Sequence, residues 1–370
     1  MQTDIKLGKV WGIPIGINNS WFIIFALLTW SLATGLFPDA FPRESGVMYL
    51  LLAVFTSVLF FGSVLLHELG HAFMALRSKI NVRGITLFMF GGIAQLEQDS
   101  RTPGEEFRIA IAGPLVSLVL AALFGLTGWI SDGTYLGVLA AWLAGVNLSL
   151  ALFNMIPGYP LDGGRVLKAA VWQFTGDGRR ATRIAAMSGR WVAYGFFALS
   201  GWIMLTGGLL NGLWLILIGW FLQNAARMTE AQSRVEQTLG GMRVADVMAR
   251  TWAGISAYTP LRYVVDSVAL RTGERFFLVR DEERFEGLLT LRDIATVPQQ
   301  QWGGMLVRQI MTPWKDVLRV EANGDLLEAL RQMERAQVEQ VPVLDSEQVV
   351  GVLTRESVLR YLRLRGELRL

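Results

Sequence analysis

The segment VLLHELGHAF, residues 64–73, places two histidines and a glutamate inside an apolar run that extends from Met48 to Leu76. A run of this length can cross a bilayer as a helix, since about 20 apolar residues suffice. Ionisable side chains at membrane depth are costly and usually mark function. In a helix, His67 and His71 lie one turn apart on the same face, so both imidazoles can bind one metal ion with Glu68 beside them.

Composition narrows both the class of the protein and its chemistry. Hydrophobic residues make up 52% of the 370 residues, which is more than a soluble domain of this length requires. The sequence has no cysteine, which excludes disulfides, thiolate metal sites and cysteine nucleophiles. Catalysis must therefore use His, Asp, Glu, Ser or Lys. The formal charge of +3 comes from scattered Lys and Arg, and we expect no nucleic-acid partner.

Several apolar runs predict a polytopic α-helical membrane protein with six transmembrane helices. The runs are Trp21–Phe37, Met48–Leu76, Ile109–Ile130, Leu136–Met155, Trp191–Leu205 and Leu209–Leu222. Lys and Arg concentrate in alternate loops, and the opposite loops carry only Arg43. The positive-inside rule therefore predicts a multi-pass protein of the plasma membrane with both termini in the cytoplasm.

Between the second and third runs, the segment GITLFMFGGIAQLEQ (84–98) contains two β-type stretches around Gly91 and Gly92. A glycine doublet tolerates the positive φ angles of tight hairpin turns. The segment therefore predicts a small β-hairpin at the membrane surface.

A catalytic zinc ion normally has three protein ligands and one open position. His67 and His71 are the two histidines of the chain, so the third ligand must be a carboxylate. Asp162 directly follows the fourth run, in the Pro- and Gly-rich segment NMIPGYPLDGGR (154–165), and Glu105 and Glu106 are the rival candidates. Asp162 could instead serve only as a helix cap.

Asn154 lies two helical turns before Asp162, at the inner end of the fourth run. Its amide could hold a substrate carbonyl or stabilise an oxyanion. The alternative is an ordinary amide at a helix end, and the sequence favours neither interpretation.

These motifs resemble those of the site-2 proteases, a family of intramembrane zinc metalloproteases. HELGH matches the family's HExxH, and NMIPGYPLDGG matches its Asn-x-x-Pro-x-x-x-Leu-Asp-Gly signature. With the hairpin segment FGGIA, the resemblance covers residues 1–228. It implies one zinc ion per chain held by His67, His71 and Asp162, with Glu68 as catalytic acid/base and Asn154 as a substrate or oxyanion contact.

The resemblance implies cleavage of a membrane-protein substrate in or near its transmembrane segment, within the lipid bilayer and for regulation. A helical substrate must unwind before its carbonyl groups are accessible. The Ile85–Leu96 hairpin could bind the unwound segment as an added strand, with Phe90, Gly91 and Gly92 as substrate-binding residues. The alternative is that the hairpin only shapes the membrane surface.

The polar segment 229–242 predicts a linker, and residues 243–366 form a charged region that repeats itself. RVADVM (243–248) returns as LVRQIM (306–311), and GLLTLRDI (287–294) returns as GVLTRESV (351–358). We predict two α/β repeats, about 243–300 and 306–366, that pack as a pseudo-twofold pair.

The repeated region resembles a tandem cystathionine-β-synthase (CBS) pair. In such pairs a Thr or Ser followed three residues later by Asp often contacts the ribose of an adenine nucleotide. Thr290 and Asp293 match this pattern, whereas Thr354 is followed by Ser357. The resemblance implies ATP or AMP as a ligand, with Thr290, Asp293 and Thr354 as candidate contacts. The alternative is a structural module that forms a homo-oligomer.

A CBS-regulated metal or ion transporter is the alternative function, because CBS pairs also accompany transport domains. A transporter is expected to place polar groups in several spans. The first, fifth and sixth predicted spans carry almost none, so the sequence favours the protease.

Overall fold

The computed structural model of the chain describes residues 4–89, 91–281 and 284–367. The chain forms two compact units, Met1–Ser233 and Arg234–Leu370. The six predicted spans fall in the first unit, and the two predicted repeats fall in the second.

Within the described residues, eight α-helices begin in the first unit. They are α1 (Ser20–Ser31), α2 (Phe37–Ala40), α3 (Gly46–Arg77), α4 (Pro103–Ile130), α5 (Tyr135–Asn154), α6 (Asp162–Thr175), α7 (Gly178–Leu205) and α8 (Leu209–Leu239). One π-helical turn, Leu32–Leu36, continues α1 into α2.

Side-chain caps start four of these helices. Ser45, Thr102, Thr134 and Asp177 each accept a hydrogen bond from a backbone N–H in the first turn of α3, α4, α5 and α7. Such side chains satisfy N–H groups that have no partner within the helix. Gly176 follows the last residue of α6, and its φ of +69° is the left-handed conformation that glycine adopts without strain.

Among the residues that the structure describes, four helical segments are long and apolar enough to cross a bilayer, judged by length and composition. They are Ser20–Ala40, Gly46–Arg77, Pro103–Ile130 and Tyr135–Asn154. Each coincides with one of the first four predicted spans. The fifth and sixth predicted spans lie within α7 and α8, which are helical but less apolar, and the count of six spans stays a prediction. α7 carries four arginines in its first half.

A four-stranded sheet lies in the first unit, in the order β1 (Ile5–Val10), β2 (Ile13–Ile17), β3 (Val82–Phe88) and β4 (Gly91–Leu96). β3 and β4 form the predicted antiparallel hairpin. β1 and β2 were not predicted, and β2 pairs in parallel with β3 through Ile15 and Ile85. The sheet packs on α3 through a buried cluster that includes Ile13, Ile85, Leu69 and Ala72. It therefore lies beside the turn of α3 that carries the two histidines.

Two glycines at the start of α6 allow it to lie against the preceding loop. A β carbon on Gly163 would overlap the backbone of Met155 and Ile156, and one on Gly164 would overlap the backbone of residues 158–159. Close approach of two backbone segments is a common reason for glycine. The contact fixes Asp162, the first residue of α6, near the C-terminal end of α5.

A buried ion-pair cluster joins α4 to α6. Glu106 Oε1 lies 3.0 Å from Arg165 Nε and 3.7 Å from Lys168 Nζ, and only 3% of the Glu106 side chain is exposed. Burial alone would lower the pKa of Arg165, but Glu106 outweighs it and raises that pKa, so the guanidinium is charged. The pair holds α6 at the position that Asp162 requires.

The second unit contains two sheets, in the strand orders β5-β6-β7-β8 and β11-β10-β9. The strands are β5 (Gly254–Ser256), β6 (Phe276–Asp281), β7 (Arg284–Thr290), β8 (Thr312–Pro313), β9 (Val320–Glu321), β10 (Gln340–Asp345) and β11 (Gln348–Thr354). The helices are α9 (Leu261–Tyr263), α10 (Leu270–Thr272), α11 (Leu291–Ala295), α12 (Leu326–Arg335) and α13 (Arg355–Glu367). A π-helical segment, Val264–Ala269, joins α9 to α10.

Each repeat contributes its first segment to the core of the other repeat. Val244 packs in the cluster around Val341 and Val343, and Val307 packs in the cluster around Phe277 and Leu289. Equivalent backbone hydrogen bonds join each first segment to the other repeat. Leu326 N donates to Met242 O, and Leu261 N donates to Met305 O, both at 2.9 Å. The two repeats therefore interlock rather than pack as separate bodies.

We expect Glu106→Ala to lower the free energy of unfolding by roughly 3 kcal/mol, because it leaves two partly buried cations without their buried partner. Glu105→Ala is the matched control, since Glu105 is one residue away and its carboxylate accepts an exposed hydrogen bond from Arg101 N. Its expected effect is below about 1 kcal/mol. Denaturant unfolding of the detergent-solubilised chain compares the two, and equal losses would contradict the structural role of the pair.

Candidate metal centre

His67 and His71 occupy consecutive turns of α3, and their Nε2 atoms lie 3.3 Å apart. Both rings are buried, and α4 orients both of them. His71 Nδ1 lies 2.7 Å from the carbonyl oxygen of Ile109, and His67 Nδ1 lies 2.9 Å from Ser117 Oγ. A carbonyl oxygen only accepts, so His71 Nδ1 carries a proton, and the neutral ring has its lone pair on Nε2. Such partners orient histidines that bind metals.

Asp162 brings a carboxylate oxygen to the two imidazoles from α6. Its Oδ2 lies 3.1 Å from His67 Nε2 and 3.2 Å from His71 Nε2. Zinc bonds of about 2.0–2.1 Å at tetrahedral angles would space their ligand atoms about 3.3–3.4 Å apart. The spacing of the three atoms therefore fits three corners of a zinc tetrahedron, and their N, N, O chemistry suits zinc.

The charge state of Asp162 also fits metal binding. Burial alone would raise the pKa of Asp162, but positive charge on His71 and N–H donation from both imidazoles outweigh burial and hold that pKa well below its usual range. The side chain is therefore an ionised carboxylate, the form that binds metals. A metal ion would take the place of those imidazole protons.

The rival carboxylates are engaged elsewhere. Glu106 pairs with Arg165 and Lys168, and Glu105 accepts a hydrogen bond from Arg101 N. Within the described part of the chain, the group of metal-ligand side chains found is His67, His71 and Asp162. The helix-cap interpretation of Asp162 does not hold, because Asp162 is the first residue of α6 and Leu161 takes the capping position.

Glu68 lies between the histidines of α3 and strand β4. A β carbon on Gly92 would lie 3.0 Å from Glu68 Cδ and nearer still to Cγ. The backbone N–H of Ala94 lies within hydrogen-bonding reach of the Glu68 carboxylate. Gly92 thus makes room for Glu68, while Gly91 has a φ of +132° that favours glycine. Phe90 lies outside the described residues.

A cavity of about 560 Å³ connects these groups. His67, Glu68, His71, Asp162 and the end of α5 at Asn154 all line it. Residues of β4 line one side, and apolar side chains of α1, α3, α5 and α8 line much of the rest. The structure thus brings Asn154 to the same cavity as the histidines, the glutamate and the aspartate.

The candidate nucleotide contacts lie in the second unit. Thr290 Oγ1 donates to Asp293 Oδ2 at 2.7 Å, and both residues line a cavity of about 740 Å³ together with Arg275 and Arg292. Thr354 does not line this cavity. Its neighbour Ser357 donates its backbone N–H to Thr354 Oγ1 at 2.9 Å, a cap with no carboxylate.

Several residues of the centre were not found from the sequence. Arg165 is on the cavity wall, and Ile109 and Ser117 orient the imidazoles. Arg165 had a signal, since a cation inside an apolar segment needs a partner. Ile109 and Ser117 had no recognisable signal in the sequence, because their histidine partners are about 40–50 residues away in the chain.

Comparisons with known proteins show the family to which the chain belongs. The model of peptidase family M50 matches residues 55–136 and 133–196, and the CBS domain model matches residues 307–364. Rip3 of Mycobacterium tuberculosis, named as a zinc metalloprotease, is 37% identical over 98% of this chain and 93% of its own length. The sll0528 protein of Synechocystis, with the same kind of name, is 35% identical over 98% of this chain and 96% of its own.

A solved structure titled as the site-2 protease from Methanocaldococcus jannaschii is 33% identical, with a TM-score of 0.43, and covers 61% of this chain and 94% of that one. Rip3 and the sll0528 protein match nearly the whole chain and are named as zinc metalloproteases, which favours a peptidase over the transporter alternative. The chain therefore belongs to peptidase family M50, the site-2 protease family of zinc metalloproteases, and also carries a CBS domain.

Proposed function

We propose that this enzyme hydrolyses a peptide bond in or near a transmembrane segment of a membrane-protein substrate, as a step of regulated intramembrane proteolysis. The observation that carries the proposal is the convergence of His67, His71 and Asp162 beside Glu68. This group lies in a cavity whose walls include helices long and apolar enough to cross a bilayer.

His67 Nε2, His71 Nε2 and Asp162 Oδ2 would hold one zinc ion per chain. The ion would polarise the peptide carbonyl and lower the pKa of a water molecule toward about 7. Ile109 and Ser117 keep the rings turned so that both Nε2 atoms face Asp162.

Glu68 supplies the proton transfers. Its carboxylate accepts a proton from the attacking water and then gives that proton to the leaving amine nitrogen. The Asn154 amide donates a hydrogen bond to the carbonyl oxygen, on which negative charge develops. The surrounding apolar side chains keep bulk water out, which strengthens these electrostatic interactions.

The open edge of β4 is the proposed binding surface for the unwound substrate. β4 is the last strand of its sheet, and its residues line the cavity that contains Glu68. Glu97 N donates to Asn81 O at 2.9 Å, on the β3 side. Alternation along an antiparallel strand then directs the N–H groups of Ala94 and Leu96 to the open edge. The Ala94 N–H faces the Glu68 carboxylate, so the Leu96 N–H is the donor that we propose for a substrate strand.

The proposed topology is the six-span arrangement in the plasma membrane with both termini in the cytoplasm. It would place the cavity at the inner leaflet, because both motif segments lie at cytoplasmic ends of predicted spans. Cleavage there would release a fragment of the substrate into the cytoplasm.

The second unit would bind ATP or AMP and tune proteolysis. The Thr290–Asp293 pair offers a carboxylate for the two ribose hydroxyls, with Arg275 and Arg292 on the same cavity wall for phosphate. The Thr354–Ser357 pair lacks the carboxylate, so we propose one nucleotide per chain. Homo-oligomers through these repeats are a further part of the proposal.

Glu68→Gln should abolish peptidase activity while zinc remains bound, because the amide cannot accept the proton and Glu68 is not a proposed ligand. General acid–base catalysis supplies about 10²–10⁴-fold in rate, so a loss of at least a hundredfold is expected. Cleavage of a purified membrane substrate and zinc content are measured together. Retention of activity would contradict the assigned role.

Leu96→Pro removes an edge-facing N–H, and Leu96→Ala is the matched control that keeps it. If the substrate adds to β4, Leu96→Pro should lower kcat/KM roughly two- to tenfold more than Leu96→Ala, the value of one hydrogen bond. Zinc content should be unchanged in both variants. Equal kinetics in the two variants would contradict strand addition.

Asp293→Asn should weaken AMP or ATP binding by about tenfold or more, because it removes a charged acceptor. Ser357→Ala, at the corresponding position of the second repeat, should leave binding unchanged. Equilibrium binding to the full chain measures both, and cleavage rates with and without nucleotide measure the regulation. Absence of binding to the unaltered chain would contradict the nucleotide proposal.

A further inference from the structure

Gly113 lies on α4, directly against both imidazole rings. A β carbon at this position would lie 2.6 Å from His67 Nε2 and 2.6 Å from His71 Cε1, and nearer still to His71 Nε2. Packed side chains do not approach this closely, since optimal contacts between non-bonded atoms are about 3.5–4.0 Å. The atoms that such a carbon would meet include both nitrogen atoms proposed to bind the metal.

The neighbours of Gly113 on α4 form one stripe toward the histidines. Ile109 and Ser117 lie one turn before and one turn after Gly113, and they provide the oxygen atoms that hold His71 Nδ1 and His67 Nδ1. Residues four apart share a helix face. This face therefore presents an oxygen, a gap and a second oxygen in succession, and the gap faces the two Nε2 atoms.

We propose that Gly113 is a positioning residue that leaves the space in which the ion and its two imidazole ligands come together. The inference rests on the proposed zinc site. A methyl group here would have to turn a ring away from Asp162 or take the volume that the ion requires. The requirement opposes helix propensity, because glycine in a helix interior costs about 1 kcal/mol relative to alanine.

Gly125 provides a matched control on the same helix. A β carbon there would meet only Ala144 Cβ, at an ordinary distance of 3.8 Å. Gly113→Ala and Gly125→Ala therefore make the same chemical change in α4, and only the first reaches the proposed ligand atoms.

Zinc affinity and the zinc-dependent rise in Tm of the full chain are measured in both variants. Changes in the supports of metal ligands typically cost 10–100-fold in metal affinity, and we expect a loss of about a hundredfold or more for Gly113→Ala with none for Gly125→Ala. If Gly113→Ala binds zinc as tightly as the wild type, the proposed role of Gly113 is wrong, but the proposed zinc site is not contradicted. Absence of zinc binding by the unaltered chain would overturn the proposed function, and this role with it.

A second measurement covers the case in which Gly113→Ala unfolds. In the presence of a chelator, its loss of Tm should largely disappear when His67 and His71 are both alanine, because the colliding rings are then gone. An equal loss of Tm in both backgrounds would show that the methyl group collides elsewhere and would overturn the proposal.

Discussion

His67 Nε2, His71 Nε2 and Asp162 Oδ2 approach within 3.3 Å of one another, and the helices of the first unit are arranged around this approach. Three electron-rich atoms at this spacing repel one another unless protons or a cation lie between them, and apolar surroundings make the repulsion worse. The helices must hold them together against that repulsion. A divalent cation would turn the same arrangement from a cost into a source of stability.

Three helices share this task. α3 provides both imidazoles, α4 orients them through Ile109 and Ser117, and α6 delivers Asp162. Close backbone contact at Gly163 and Gly164 and the buried Glu106–Arg165 pair hold α6 in place. Glycines thus recur where a backbone segment, a proposed metal ligand or the proposed catalytic Glu68 needs room. The fixed geometry matches what metal catalysis demands, because ligands held in advance need not be reorganised during reaction.

Local spacing was enough to predict part of the site. Histidines four residues apart share one face of any helix, so their meeting needed no knowledge of the fold. Elimination reduced the candidates for the third ligand to a short set of carboxylates that included Asp162, but it did not select Asp162. The choice between Asp162 and Glu106 depends on how α4 packs on α6, and no sequence pattern within either segment specifies that packing. Gly113 has no signal of its own for the same reason.

Long-range pairing explains what the sequence missed in the fold. Glycines and Pro14 interrupt the apolar alternation of β1 and β2, and β2 is completed by parallel pairing with the distant β3. In the second unit, the repeats were visible but their exchange of first segments was not. The same sequence pattern is compatible with repeats that exchange their first segments and with repeats that do not, because each core receives an equivalent segment in either case.

Zinc K-edge X-ray absorption spectroscopy of the purified chain tests the coordination claim most directly. We expect one zinc per chain, with nitrogen and oxygen ligands at about 2.0–2.1 Å and the multiple-scattering pattern of two imidazoles. The imidazole pattern should persist with one oxygen ligand changed when Asp162 is replaced by alanine. A purified chain without zinc, or a zinc shell without imidazole, would contradict the account.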